Sequence, residues 1–435
     1  MDKMADVLGR VGAWCGQNKY LSAIKNAFQN FMPLTIAGAI GVLWCNVLVN
    51  ESTGLGIFFK PIMALEFLNP AFQAVNFCTI SCITVGITLG IAQEIGVWNM
   101  GAEKAGYIPG LVGLAAWLSV TNTSHMVEGA KEAFTGIAGN ELGATGLFTG
   151  MIIGVLSVEL FCFFEKQDAL KIKMPEQVPP GVARAFEVLV PATITLIITA
   201  CIGSACYNLT GLYLNDVIKN GIQGPLGAVG ATIPGVMIIY LVIMLFWLVG
   251  IHGNNMLSAV KEALFTPLAL ENVEKFNKGE KPTNIINMYA LQMWGEFGGS
   301  GVTIGLVIAI MIFGKREDNK AIATLSLVPG LFNINETVTF GVPMVLNPIL
   351  GIPFVVAPLI TIIIGYVLTV IGFCPVACLT VPWTTPPIVF GFLACGANVM
   401  GAVTQAILIV VSTVIYVPFL ISYEKYQNKQ AAAAE

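Results

Sequence analysis

An ionisable side chain inside apolar sequence is where chemistry should be sought, because its charge persists there only with a partner or a ligand. Two residues meet that description. Glu336 lies in Asn333-Ile334-Asn335-Glu336-Thr337, in the middle of an apolar stretch covering residues 321–350. A carboxylate among amides and hydroxyls suits a carbohydrate, whose hydroxyls must all find partners when they leave water. His252 is one of two histidines and follows an apolar run in Trp247-Leu248-Val249-Gly250-Ile251-His252-Gly253-Asn254-Asn255. Glycines on either side allow the helix to unwind there. An imidazole so placed can hold a polar substrate or its proton. Each residue also has a plainer reading: a carboxylate capping a broken helix, and a histidine ending a helix at the membrane interface.

The remaining candidates are weaker. Glu296, in Trp294-Gly295-Glu296-Phe297-Gly298-Gly299-Ser300-Gly301, fits either cavity lining or tight packing. Glu94 and Glu159 lie near the ends of apolar runs and read as solvated or structural, and His125 reads as a surface residue. Trp247 and Trp383 could stack on the apolar face of a sugar ring, or sit at a membrane interface. The ten cysteines fall almost all in apolar runs and read as small packing residues. No cluster of His, Cys and carboxylates forms a metal site, and no cofactor is called for. No Walker A sequence supplies a motor within the chain.

The elements that must position these residues are membrane helices. Of the 435 residues, 56% are hydrophobic and 11% charged, against about 25% charged in soluble domains. The net charge of −4 offers no basic surface to a nucleic acid. Runs long enough to cross a bilayer cover residues 31–49, 75–93, 107–121, 142–164, 186–206, 231–250, 298–313, 354–371 and 401–422. Residues 2–28 and 58–67 have the spacing of amphipathic helices on the membrane surface. Lysines and arginines cluster before the first run, after the fourth, after the run at 298–313 and at the C-terminus. The positive-inside rule puts these clusters, and both termini, in the cytoplasm. That requires an even number of crossings, and residues 254–273 are the candidate for the missing one.

Two apolar stretches break in the middle. Residues 321–350 break at the Asn333–Thr337 cluster, and residues 374–395 at Pro382-Trp383-Thr384-Thr385-Pro386-Pro387. Each reads as a re-entrant hairpin, which must be buried in protein or line a cavity. The Pro-containing loop 166–184 marks a boundary between a plain half, 1–184, and a half with the breaks, 185–435.

These residues carry a resemblance. The sequence resembles the membrane-embedded IIC component of the bacterial phosphoenolpyruvate-dependent sugar phosphotransferase system, in its lactose/cellobiose/diacetylchitobiose branch. The resemblance covers the chain and rests on Met174-Pro175-Glu176-Gln177-Val178-Pro179-Pro180-Gly181-Val182-Ala183-Arg184-Ala185-Phe186, Gly250-Ile251-His252-Gly253, Gly298-Gly299-Ser300-Gly301, Asn333-Ile334-Asn335-Glu336, Phe340-Gly341-Val342-Pro343 and Leu346-Asn347-Pro348. Thr337 departs from the Pro that the family favours. The resemblance implies an all-α polytopic fold of about ten transmembrane helices with two re-entrant hairpins. It implies a homodimer built through residues 1–184 and a sugar site in 185–435, in the bacterial cytoplasmic membrane. It also implies that the sugar, a β-linked disaccharide of the diacetylchitobiose or cellobiose type, is phosphorylated on delivery by a phosphocysteine on a separate IIB subunit. His252 and Glu336 match the substrate-contacting pair; the chemistry of a sugar hydroxyl makes Glu336 its general base or orienter, with His252 holding the same hydroxyl, and Asn254, Asn335 and Trp383 are added as further sugar contacts. From the residues alone, an ion-coupled sugar transporter and a sugar-binding membrane sensor stay open.

Overall fold

The computed structural model describes the chain except residues 1–9, 11–13, 15–16, 52–55, 57–58, 126–133, 176, 226–229 and 435. Of the amphipathic helix expected over residues 2–28, positions 2–9, 11–13 and 15–16 lie outside the described residues, and residues 19–28 belong to a helix that continues to Leu43. Helices make up nearly all regular structure. Two short strands, Ser124–His125 and Phe134–Thr135, pair antiparallel, which places His125 in a small hairpin.

Each apolar run expected to span coincides with helix. The principal helices are α1 (Lys19–Leu43), α2 (Ile83–Met100), α3 (Ile108–Val120), α4 (Ala144–Glu165), α5 (Pro180–Thr210), α6 (Ile233–Leu248), α7 (Ser258–Asn277), α8 (Met288–Gly295), α9 (Ile304–Phe313), α10 (Glu317–Leu331), α11 (Glu336–Gly341), α12 (Gly351–Val370), α13 (Val389–Ala394) and α14 (Val399–Ala434). Among the described residues, five helices are long and apolar enough to cross a membrane by themselves, or up to seven when two bent pairs each count as one span. One bent pair joins Lys60–Ser81 to α2 at 42°, and the other joins Met288–Val302 to α9 at 60°. The run expected at 298–313 thus starts its regular helix only at Ile304, because three glycines of the preceding loop take left-handed backbone. The segment considered for an extra crossing, 254–273, falls mostly on α7, which is not one of the apolar spanning helices. The stretch expected as a surface helix, 58–67, overlaps a 3-10 helix, Lys60–Leu68.

The chain divides into two compact units. One comprises Gln17–Gly38 with Ala71–Ala228, the other Met1–Gly16, Ala39–Pro70 and Val229–Glu435. The division after Ala228 comes later than the loop at 166–184 suggested, because α5 packs on α3 and α4. It buries Val188, Pro191, Thr195 and Thr199.

The first unit is built from long helices in close approach. A Cβ at Gly113 would stand 2.3 Å from that of Ala92, and one at Gly150 would stand 2.2 Å from Thr88 Oγ1. Small residues at such crossings let backbones meet where lipid gives no hydrophobic drive. Ala116, Trp117, Val120 and Ile153 form the core beside them. Ion pairs of this unit join Glu165 to Lys104 at 2.8 Å and to Arg184 at 2.9 Å, and Lys19 to Glu159 at 2.6 Å. Glu94 accepts from Asn26 at 2.9 Å.

The second unit packs α9 and α12 against α14. Tyr240, Trp294, Phe354 and Tyr416 are fully buried in it.

Candidate functional site

Helix α6 begins at a Thr232 cap, whose hydroxyl accepts from Gly235 N at 3.2 Å, with Pro in the first turn. It ends where Gly250 turns left-handed, at φ +81°. Ile251 N then donates to Phe246 O and Gly250 N to Trp247 O, both at 3.0 Å. This is the paired closure that a helix makes at a C-terminal glycine. The chain emerges at His252, which caps the next short helix, Gly253–Met256, by accepting from Asn255 N on Nδ1 at 3.2 Å. That bond occupies the Nδ1 lone pair, so the neutral ring carries its proton on Nε2. Beneath it lies Trp247, ring centroids 4.5 Å apart. Trp247 is buried, at 2% exposure, and supports the imidazole rather than offering a platform of its own.

Glu336 is delivered by the same device. Helix α10 ends at Asn333, whose backbone is left-handed at φ +62°. Ile334 N donates to Pro329 O and Asn333 N to Gly330 O, both at 3.0 Å. Asn is the residue other than glycine that best tolerates this conformation. Two residues later α11 starts at Glu336. Its Oε1 lies 3.8 Å from His252 Nε2, and the side chains are 48% and 37% exposed. The gap is too long for a direct hydrogen bond. A hydroxyl oxygen at about 2.8 Å from each group would accept a hydrogen bond from Nε2–H and donate one to the carboxylate.

The loop Gly298-Gly299-Ser300-Gly301 ties these pieces together. Gly298 N donates to Asn333 Oδ1 at 2.6 Å. Ser300 O accepts from Asn335 Nδ2 at 2.7 Å, and Ser300 Oγ accepts from Asn254 Nδ2 at 2.9 Å. Gly301 O accepts from Tyr416 Oη at 2.8 Å. Gly298 and Gly299 have φ of +70° and +88°, and a Cβ on Gly299 would fall 2.7 Å from the Asn335 side chain. Only glycine lets the loop come this near to the segment carrying Glu336.

The two arms of the break at 374–395 differ from each other. Its second arm forms α13, whereas its first arm, 373–388, is turns and extended chain. Pro375, Pro382, Pro386 and Pro387 each lack an N–H, which disfavours a continuous helix through that arm. Cys378 N and Leu379 N close the base by donating to Ala394 O at 2.7 and 3.1 Å. Gln405 Oε1 holds the start of α13, accepting from Ile388 N and Gly391 N at 2.7 Å each. Asn333 Nδ2 donates to Trp383 O and Thr385 O, so one amide joins the tips of both broken segments.

The family model for the phosphotransferase system EIIC matches residues 25–358. The oligo-beta-mannoside-specific EIIC component of Bacillus subtilis (strain 168) is 32% identical, over 100% of this chain and 98% of that protein. This chain belongs to the phosphotransferase system EIIC family. The cellobiose-specific EIIC component of Lactococcus lactis subsp. lactis (strain IL1403) is 30% identical, over 98% of each chain. The crystal structure of the transporter ChbC, the IIC component from the N,N'-diacetylchitobiose-specific phosphotransferase system, superposes with a TM-score of 0.88 at 30% identity, covering 98% of each chain. The EIIC component described here is therefore an integral membrane, helical sugar permease.

In this EIIC component the fold brings His252 and Glu336 together. It joins Asn254 and Asn335 through Ser300, where both amide nitrogens are engaged. Trp383 is tied to the Asn333 tip by its carbonyl, and the residue is 44% exposed. Glu296 resolves to a packed group: Tyr240 Oη donates to its Oε1 at 2.7 Å, and Lys261 forms an ion pair with the same oxygen. Sequence reading missed Lys261, Ser300 and the clamping role of Asn333. A lone lysine in the largely uncharged run 254–270 was the available signal for Lys261, but its partner lies 35 residues away.

Proposed function

We propose that this EIIC component binds a β-linked disaccharide of the diacetylchitobiose or cellobiose type. It delivers the sugar to the cytoplasm as a phosphate ester. The donor is a phosphocysteine on a separate IIB subunit docking from the cytoplasmic side of a bacterial membrane. The observation that carries the reading is the His252–Glu336 couple, spaced for one hydroxyl. His252 donates from Nε2 and holds the hydroxyl oxygen. Glu336 accepts the hydroxyl proton as the O–P bond forms and the S–P bond breaks, and the thiolate leaves on IIB. A carboxylate in that role accelerates transfer by about 10²–10⁴-fold; much of the rest is positioning. Trp383 offers its ring to a sugar face. Asn254 and Asn335 act by holding the loop, and contact the sugar only through what their bonds to Ser300 leave free.

The wider architecture follows the same reading. About ten crossings, with re-entrant segments at 321–350 and 374–395, place both termini in the cytoplasm. A homodimer forms through residues 1–184, and residues 185–435 carry the sugar.

The test uses purified protein in vesicles with IIB and labelled diacetylchitobiose, competed by cellobiose, lactose and maltose. The wild type should accumulate sugar phosphate only when IIB is present. Glu336→Gln should lower transfer by about 100-fold or more while sugar still binds. Unchanged transfer would remove the base role, and free sugar driven by an ion gradient would replace the whole reading with secondary transport.

A further inference from the structure

We propose that Lys261 and Glu296 are a buried positioning pair that sets the spacing of the His252–Glu336 couple through Asn254 and Ser300. The proposal rests on the functional reading above and extends it to residues that contact no substrate. The Lys261 and Glu296 side chains are 7% and 15% exposed. They come from different elements, α7 and the loop after α8. Lys261 also lies 5.6 Å over the Tyr240 ring, and Tyr240 donates to Glu296.

Stability alone does not account for such a pair. Taking both charges out of water costs several kcal/mol per ion, and an apolar replacement of equal volume is often as stable or more so. What the pair adds is direction. Besides Glu296, the Lys261 ammonium donates to Asn254 Oδ1 at 3.4 Å. A cation on Oδ1 fixes which end of the Asn254 amide faces away, so Nδ2 is aimed at Ser300 Oγ. Ser300 O takes the Nδ2 of Asn335, the residue before Glu336. Asn254 is two residues past His252. The chain Glu296–Lys261–Asn254–Ser300–Asn335 therefore runs from the histidine segment to the carboxylate segment. Without the ammonium, the amide can rotate by half a turn and accept from the Ser300 hydroxyl instead of donating to it, so the link no longer has a single orientation.

Placement of the reacting groups governs transfer more steeply than it governs binding, because binding sums over many contacts while transfer needs one geometry. The neutral variant Lys261→Met with Glu296→Gln removes both charges of the pair together, with Glu262 still accepting from Thr266 Oγ1, and so keeps the measurement possible where either single change unfolds the protein. In vesicles with IIB it should keep sugar affinity within about threefold and lose transfer by about 10–100-fold. Lys261→Arg, which keeps the cation, should restore most of the transfer relative to Lys261→Met. In an Asn254→Ala background the neutral pair should lower transfer by less than about twofold more, because the path it acts through is already cut. Wild-type transfer in the neutral variant, or full additivity with Asn254→Ala, would overturn the proposal. If the wild type itself transfers no phosphoryl group, the functional reading falls separately. The pair is then judged by amide hydrogen exchange over residues 298–303: faster exchange in the neutral variant supports positioning, and unchanged exchange overturns it.

Discussion

The two compact units of this permease handle polar groups in opposite ways. The unit of Gln17–Gly38 and Ala71–Ala228 carries ion pairs near helix ends, as at Glu165 with Lys104 and Arg184. Its helices α3, α4 and α5 run with few breaks and meet through small residues. The unit ending in Val229–Glu435 breaks its helices at Gly250, Gly298, Asn333 and Gly372, all with left-handed backbone. It keeps Lys261, Glu296, Asn335 and Gln405 inside. Unbroken helices satisfy their own backbones and leave nothing for a solute. Broken ones free donors and acceptors, which in a bilayer must be used by protein or by a ligand. The second unit is thus the one equipped to hold a polar substrate, as in transporters whose sites lie at interrupted helices.

Substitutions that break or sharpen this contrast rank by expected effect. The largest is Gly298→Ala, whose Cβ would fall 2.4 Å from that of Ile304 at φ +70°. Left-handed strain and overpacking together should cost about 2–5 kcal/mol, seen as a fall in Tm and loss of transport. A tolerated Gly298→Ala would mean that the loop is not the hub of the second unit. Next is His252→Ala, which removes both the Nε2 donor and the cap on Asn255. Transfer should drop by about 10–100-fold, the equivalent of a hydrogen bond to a charged or reacting group, measured as single-turnover phosphorylation. Asn333→Gly keeps the left-handed backbone but loses the bonds to Gly298 N, Trp383 O and Thr385 O. It should cost about 1–3 kcal/mol in thermal stability and weaken sugar affinity, because Trp383 is released. The smallest effect belongs to the first unit: Glu159→Gln breaks a partly exposed pair with Lys19 and should change stability by no more than about 1 kcal/mol, with transport unchanged. A transport defect there would show that the two units share the chemistry more evenly than their structures suggest.

Much of the site was legible because the residues that break a membrane helix are few and conspicuous. Gly250 before His252 and the Asn333–Thr337 cluster announce their breaks by type alone. The interruption at 382–387 was equally visible, but an apolar run does not by itself tell helix from extended chain, and only the second arm is helical. Trp247 shows the limit of reading a residue type: indole suits a sugar, yet its burial makes it a support for the imidazole. Asn254 and Asn335 show the same limit, since an amide in a polar cluster fits a ligand or a loop equally well until its partners are known.

The sequence by itself determined that this protein lies in a membrane, where its helices run, and that His252 and Glu336 sit at interruptions. Those properties are local: they depend on hydropathy over about 20 residues and on backbone preferences within a single turn. Only the tertiary structure decided that the two groups stand 3.8 Å apart. It also decided that Lys261 neutralises Glu296 and that the loop at 298–301 is the point where the Asn254 and Asn335 segments meet. Those facts depend on pairings between segments 35 to more than 80 residues apart, and helical periodicity carries no record of which broken ends will meet.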